Sequence, residues 1–176
     1  MPIDACMLTT KDFTILEVMF DRCLDRDGLM GVLLRRKLEG GTVVFRDDVP
    51  TTVATLSSRV TYRCDGRGPD SRILCHDRMS SPGLFLPITT PLGLALLGLA
   101  EGQELSFNTP EGPRHVMLDA VLYQPEAARR ERDAIAGLAS PAMRRSTFRV
   151  IAGSRDDDSQ DVAPSRQPPH GPEYSA

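Results

Sequence analysis

Residues 86–103, Leu-Pro-Ile-Thr-Thr-Pro-Leu-Gly-Leu-Ala-Leu-Leu-Gly-Leu-Ala-Glu-Gly-Gln, constrain the rest of the chain more than any other stretch. Thr90 brings the side-chain oxygen of a helix N-cap, and Pro91 suits the first helical position, where its missing N–H costs nothing. Leu92, Leu94, Ala95, Leu96, Leu97 and Leu99 are apolar almost all round, so a short helix here has to pack against a sheet. Gly98 and Gly102 mark the stop on its far side. Nothing in the stretch reads as a nucleophile, a base or a metal ligand. It reads as the packed centre of a binding module.

The sheet is written on both sides of it. Residues 58–64 alternate in the strand manner, Asp65-Gly66 and Gly68-Pro69 make a turn, and residues 72–76 return. Residues 84–88 form a third strand leading into the helix and residues 104–108 a fourth leaving it. After a turn at Pro110, Glu111, Gly112 and Pro113 comes a long last strand, residues 114–123, with Val116, Leu118, Ala120 and Leu122 on one face.

Ahead of the sheet the periodicity is helical. Residues 1–9 read as weakly structured, and Thr9 stands three residues before Asp12 at capping-box spacing. Phe13, Leu16, Phe20 and Leu24 then repeat at helical intervals up to a turn at residues 25–28. A second helical pattern through Met30, Leu33, Leu34 and Leu38 is closed by Gly40 and Gly41. Two helices of ~15–22 Å joined by a tight turn make an antiparallel hairpin. Val43, Val44 and Phe45 suit a brief strand that Asp47, Asp48 and Pro50 end. Beyond Pro125, residues 126–138 are Ala- and Arg-rich and helical in pattern, with Arg129, Arg130 and Arg132 exposed. A second basic cluster is Arg144, Arg145 and Arg149, and from Gly153 on the composition is that of a disordered tail containing Asp156, Asp157 and Asp158. The expected division is a tail (1–9), a helical hairpin (10–41), a connector (42–51), an α+β domain (52–125), an Arg-rich helical extension (126–151) and a disordered tail (152–176). The chain shows no internal repeat.

Composition narrows the function. A net charge of −3, 5% aromatics and no Trp provide neither a basic field nor base-stacking platforms, so no sequence-specific nucleic-acid binding is expected. Cys6, Cys23, Cys64 and Cys75 show no metal-ligand spacing and suit reduced thiols in a cytoplasmic protein, although Cys64 and Cys75 have the option of facing each other across a hairpin. No apolar run reaches the ~20 residues of a membrane span. His76 and His115 fall on strands and His170 in the tail, without a partner at ligand spacing. No G-x-S-x-G elbow or Walker-type loop is present.

The run from Thr90 to Gly98, followed by Gly102-Gln-Glu and Pro110-Glu-Gly, resembles the C-terminal domain of the GreA/GreB transcript-cleavage factors, where the pattern is Ser-Pro-hydrophobic-Gly-x-Ala-Leu-Leu-Gly. Within that group, Ser57-Ser-Arg-Val60, Ala95-Leu-Leu-Gly98 and Tyr123-Gln-Pro-Glu-Ala127 are most similar to the Rnk proteins, the Gre-like regulators of nucleoside diphosphate kinase. The resemblance covers roughly residues 10–127. It implies an FKBP-like antiparallel sheet crossed by one short helix. It also implies a hairpin that enters the secondary channel of RNA polymerase while the domain holds the channel rim. It places Thr90, Pro91, Leu92 and Gly93 on the polymerase-facing surface, with Thr90 standing where the family has Ser and keeping the cap.

Two features invite chemistry. Asp21, Asp25 and Asp27 at the hairpin turn offer oxygen ligands for a hard cation such as Mg²⁺, which Gre factors hold at their tips. The reading taken for them is a solvated charged turn, because Arg22 and Arg26 interleave with them and the hairpin is much shorter than a Gre coiled coil. Prolyl isomerase activity follows from the FKBP-like fold by analogy alone, and Tyr62, Phe85, Phe107 and Tyr123 are assigned to sheet and core instead of a proline slot. The reading is therefore a non-enzymatic, Gre-like regulator without catalytic residue, cofactor or bound metal, whose partner is RNA polymerase. A transcript-cleavage factor acting through the hairpin tip, and an interaction module for a client such as nucleoside diphosphate kinase, are the alternatives. The angle between hairpin and domain decides how far the hairpin reaches: if it packs back on the domain, the channel geometry is lost.

Overall fold

The computed structural model describes residues 6–77 and 83–137. The basic cluster at Arg144, Arg145 and Arg149, the acidic run at 156–158, His170 and the tail lie outside the described residues. The chain is α+β. Strand β1 (Met7–Thr9) leads into helix α1 (Thr10–Asp21), then α2 (Leu29–Gly40) and β2 (Thr42–Val44). Strands β3 (Arg59–Cys64), β4 (Asp70–Cys75) and β5 (Phe85–Pro87) precede the short helix α3 (Pro91–Leu96). Strands β6 (Glu104–Thr109) and β7 (Gly112–Tyr123) and helix α4 (Pro125–Ile135) follow.

Five strands form one sheet in the order β5-β4-β3-β7-β6. All its pairings are antiparallel except β4 with β5, which is parallel. The β3–β4 turn forms where Asp65 and Gly66 both take positive φ (52° and 69°), closed by the Arg67 N–H on the Cys64 carbonyl at 3.0 Å. That is the hairpin geometry an Asp-Gly pair favours. The register pairs Arg59 with Ile73 and Tyr62 with Asp70, which places Cys64 and Cys75 at opposite ends of the hairpin, and both are free thiols.

Two expectations are corrected here. Residues 6–9 are no weakly structured tail. Cys6 and Leu8 are buried, β1 pairs in parallel with β2, and the Met7 N–H donates to the Gly98 carbonyl at 2.8 Å. Three residues are too few to show a strand pattern, and their partner lies far along the chain. The second correction concerns β7. Its partners on β3 skip Asp119 and Leu122, so two β-bulges break the expected even-numbered face. Val116 and Leu118 point into the core, Val121 takes over beyond the first bulge, and Leu122 is 57% exposed.

One core joins the hairpin to the sheet. Leu8, Leu16, Leu33 and Leu34 share it with Val60, Leu74, Ile88, Leu105, Val116 and Leu118. Leu94, Leu96, Leu97 and Leu99 sit at its centre and are buried throughout. Each such leucine contributes roughly 1.5–3 kcal/mol of transfer free energy.

Candidate functional site

Local chemistry builds the rim at the N-terminus of α3. Thr90 Oγ1 accepts from the Gly93 N–H at 3.2 Å and donates to the Pro87 carbonyl at 2.7 Å, with Pro91 in the first turn. Thr90, Pro91 and Leu92 are half-buried, whereas Gly93 is buried. Gly93 therefore shapes the rim without presenting a surface. Thr90→Ala should lower unfolding stability in urea by about 1 kcal/mol through loss of the cap, while Thr90→Ser should stay near wild type. Equal losses in both would show that the methyl group, and not the hydroxyl, sets the turn.

The hairpin tip binds its own acids. Asp25 Oδ1 accepts from the Gly28 N–H at 2.9 Å, which closes the turn into α2. Asp27 lies 3.7 Å from the Arg35 guanidinium, and Arg26 stacks 4.8 Å from the Phe20 ring centroid. Asp21 ends α1 and is exposed. Among the described residues no group of three or more His, Cys, Asp or Glu side chains is arranged to hold a metal ion. Leu24, between these charges, is fully exposed.

The hairpin is not outstretched. Leu33 and Leu34 of α2 are buried in the common core, Arg36 donates to the Ser106 carbonyl on β6 at 2.8 Å, and Lys37 donates to the Leu97 carbonyl at 2.5 Å. On α1, Asp12 is buried and its Oδ2 faces the Leu56 N–H at 3.4 Å. An apolar groove of about 380 Å³ is walled by Ile15, Val18, Met19 and Cys23 of the α1 end, by Met30 and Leu34 of α2, and by His76 and Thr89 next to the rim. The groove reaches Thr89, one residue before the rim, and includes none of Thr90, Pro91, Leu92 and Gly93 or of Asp21, Asp25 and Asp27; no local pattern in the sequence announces it.

A second cluster escapes the sequence reading, although Ser58, Gln124 and Glu126 belong to the segments that carry the family resemblance. Gln124 Nε2 donates to the carbonyls of Pro50 (2.8 Å) and Val53 (2.7 Å), and Thr55 Oγ1 donates to Glu126 at 2.7 Å. Ser58 Oγ lies 2.9 Å from Thr55 Oγ1 and accepts from its N–H. Tyr123-Gln-Pro-Glu and the 55–58 loop are therefore two halves of one polar clasp that anchors α4. Asp12 borders it, and burial, followed by the charge of Glu126, drives its carboxyl up to about 6 against the bonds from Thr9 and Leu56. The signal available in the sequence was polar residues at the ends of apolar strands. None of Thr55, Ser58, Gln124 and Glu126 lines the three described cavities, and the bonds of the clasp join the chain to itself.

No protein-family model matches the chain. It is 31% identical over 98 residues to the regulator of nucleoside diphosphate kinase of Escherichia coli K12, covering 54% of this chain and 72% of that relative. The same figures hold for the protein of that name in Shigella flexneri. Among solved structures, the prokaryotic transcription elongation factor GreA/GreB from Nitrosomonas europaea is similar over 68% of this chain and 98% of its own, with 28% sequence identity and a TM-score of 0.51. These relatives are regulators or elongation factors by name. No described helix is long and apolar enough to cross a membrane.

Proposed function

Because the chain belongs to the Gre-like family of the regulator of nucleoside diphosphate kinase, a group of transcription-related regulators, we propose that it docks on RNA polymerase at the rim of the secondary channel and performs no catalysis itself. The observation that carries this reading is an apolar groove that ends at Thr89, next to the rim in sequence. Val18, 42% exposed, and Met19 and Met30 line it beside Thr89, one residue from Thr90. An apolar groove suits a protein partner better than a small polar substrate.

The packing of the hairpin refines the mode of action. With Leu33, Leu34 and Lys37 inside the domain, the hairpin adds a wall to the docking face instead of a finger that blocks a channel at a distance. The tip supports the non-catalytic reading, since Asp25 closes its own turn and Asp27 lies beside Arg35. A cleavage cofactor needs its carboxylates free to hold a cation and its water.

The test is binding to purified core polymerase in competition with a full-length GreA/GreB factor. Wild type should bind and compete, and Val18→Glu should weaken binding at least tenfold with an unchanged unfolding midpoint. Absence of both binding and competition would overturn the proposal. So would co-purification dominated by nucleoside diphosphate kinase, which would transfer the docking face to that client.

A further inference from the structure

The sheet has two edges, and the chain treats them differently. Edge strand β5 is three residues long and ends in Pro87, which has no N–H to offer a further strand. Edge strand β6 is six residues long, contains no proline, and keeps its register with β7 without a bulge. That register pairs Leu105 with Val116 and Phe107 with Arg114, and the Leu118 N–H donates to the Gln103 carbonyl at 3.0 Å. In an antiparallel ladder only alternate residues exchange bonds with the neighbour. Residues 103, 105, 107 and 109 therefore serve β7, and Glu104, Ser106 and Asn108 turn their backbone groups outward. Among the described residues no strand pairs with that side. A cleft of about 610 Å³ runs along it between β6 and α2, walled by Asp27, Leu29, Val32, Arg36, Phe107 and Pro110. Arg36 is bonded to the Ser106 carbonyl, and the other wall residues lie further along β6 and further back along α2, so strand and helix run antiparallel past each other. The cleft thus has a cation at one end and an exposed acid, Asp27, at the other, with Val32, 48% exposed, midway.

We propose that this edge is completed by the β6 edge of a second copy of the chain, the two strands pairing antiparallel about a two-fold axis at Phe107. Ser106 then exchanges backbone bonds with Asn108 of the second copy, and Asn108 with its Ser106. Glu104 faces Pro110 of the second copy, so no like charges stand opposite each other across the new ladder. The Ser106 carbonyl has two lone pairs and keeps Arg36 while it accepts the new N–H. The same axis lays the two α2 helices side by side and antiparallel, Val32 toward Val32. It turns the Arg36 end of each cleft toward the Asp27 end of the other, which matches opposite charges at two symmetric contacts and selects a second copy over an unrelated strand. Among the described residues the sheet offers only one such edge, β5 being short and closed by Pro87, so the pairing stops at two molecules instead of running on as a fibre. The groove of the docking face stays open in the dimer, because Met30 and Leu34, which line it, lie on the other flank of α2.

The test is analytical ultracentrifugation of the full-length chain across a range of concentrations. Wild type should pass from the mass of one chain to the mass of two as concentration rises. Asp27→Arg and Arg36→Asp should each raise the dimer dissociation constant by roughly tenfold or more, because each variant alone sets like charges together at both contacts. Mixed in equal amounts, the two variants should form a dimer again, since each then supplies the charge the other lacks. Val32→Glu, at an exposed position, should stay monomeric with an unchanged far-UV circular dichroism spectrum. A wild type that keeps the mass of one chain at every concentration would overturn the proposal. So would a mixture of the two charge variants that stays monomeric, or a dimer that all three variants leave intact, because it would then use another face.

Discussion

Gly93→Ala is expected to destabilise the protein by about 3 kcal/mol, at the upper end of what overpacking costs. Gly93 is buried in the first turn of α3, and a Cβ built there overlaps the carbonyl oxygen and carbon of Pro87 and crowds the Ile88 Cα. These are backbone atoms, and the Pro87 carbonyl is fixed from two sides by the Thr90 N–H (3.0 Å) and the Thr90 hydroxyl (2.7 Å). The collision is relieved only by moving α3 off the sheet, and Leu94, Leu96 and Leu97 move with it. Urea unfolding followed by far-UV circular dichroism reads the loss as a lowered midpoint at constant slope. The result also separates two meanings of the rim. Gly93→Ala should lose polymerase binding in proportion to its unfolded fraction, whereas Pro91→Ala, at a half-buried surface position, should weaken binding while stability stays within about 1 kcal/mol of wild type. A Gly93→Ala midpoint equal to wild type would mean that the Pro87 carbonyl yields, and that Gly93 does not lock the rim.

What was legible in the sequence was local. Thr9 accepts from the Asp12 N–H at 3.1 Å and Thr90 from the Gly93 N–H, each a bond between residues three apart, and the Asp65-Gly66 turn is equally short-range. Strand and helix periods repeat over six to twelve residues and marked α1, α2, β3, β6 and β7. The features that escaped depend on distant partners. β1 is a strand because β2 and the Gly98 carbonyl accept it. The bulges at Asp119 and Leu122 exist in the register with β3, and a strict alternation puts Leu122 on the wrong face. The attachment of the hairpin rests on Lys37 reaching Leu97 and Asp12 reaching Leu56, charged residues on the same helix faces as Leu33 and Leu16, whose partners lie far along the chain. For the candidate site, the resemblance to Gre-like proteins pointed to Thr90–Gly93 and the tip. The groove depends on how α1, α2 and the segment before α3 meet.

Lys37 gives the second large effect, and it is a dependence on pH. Its side chain is buried on the face of α2 that carries Leu33 and Leu34, and its ammonium donates to the Leu97 carbonyl. Burial lowers its pKa from 10.5 to about 8; the Cys6 thiol works against that fall and the neighbouring Arg36 charge adds to it. Between about pH 8 and 10.5 the folded chain has given up this proton while the unfolded chain still holds it. The unfolded state binds more protons there, so stability rises with pH through that window, by about 3 kcal/mol in full. Two other groups work in the opposite direction. Burial raises the Cys75 thiol above its usual 9, and burial with the neighbouring Asp70 raises the Tyr62 hydroxyl from 10 to about 12, so both lose stability as pH climbs past their unfolded values. The informative quantity is therefore the difference between wild type and Lys37→Met, in which those opposing contributions cancel. Methionine fills similar space, leaves the Leu97 carbonyl without its donor, and buries no charge. Measured by urea unfolding from pH 7.5 to 10.5, the difference should move by about 3 kcal/mol in favour of wild type. Parallel curves would mean that Lys37 keeps its proton in the folded state, and that the pin between hairpin and α3 is an ammonium throughout. With the expected slope, α2 is held to the centre of the fold by a lysine that the protein stabilises best in its neutral form.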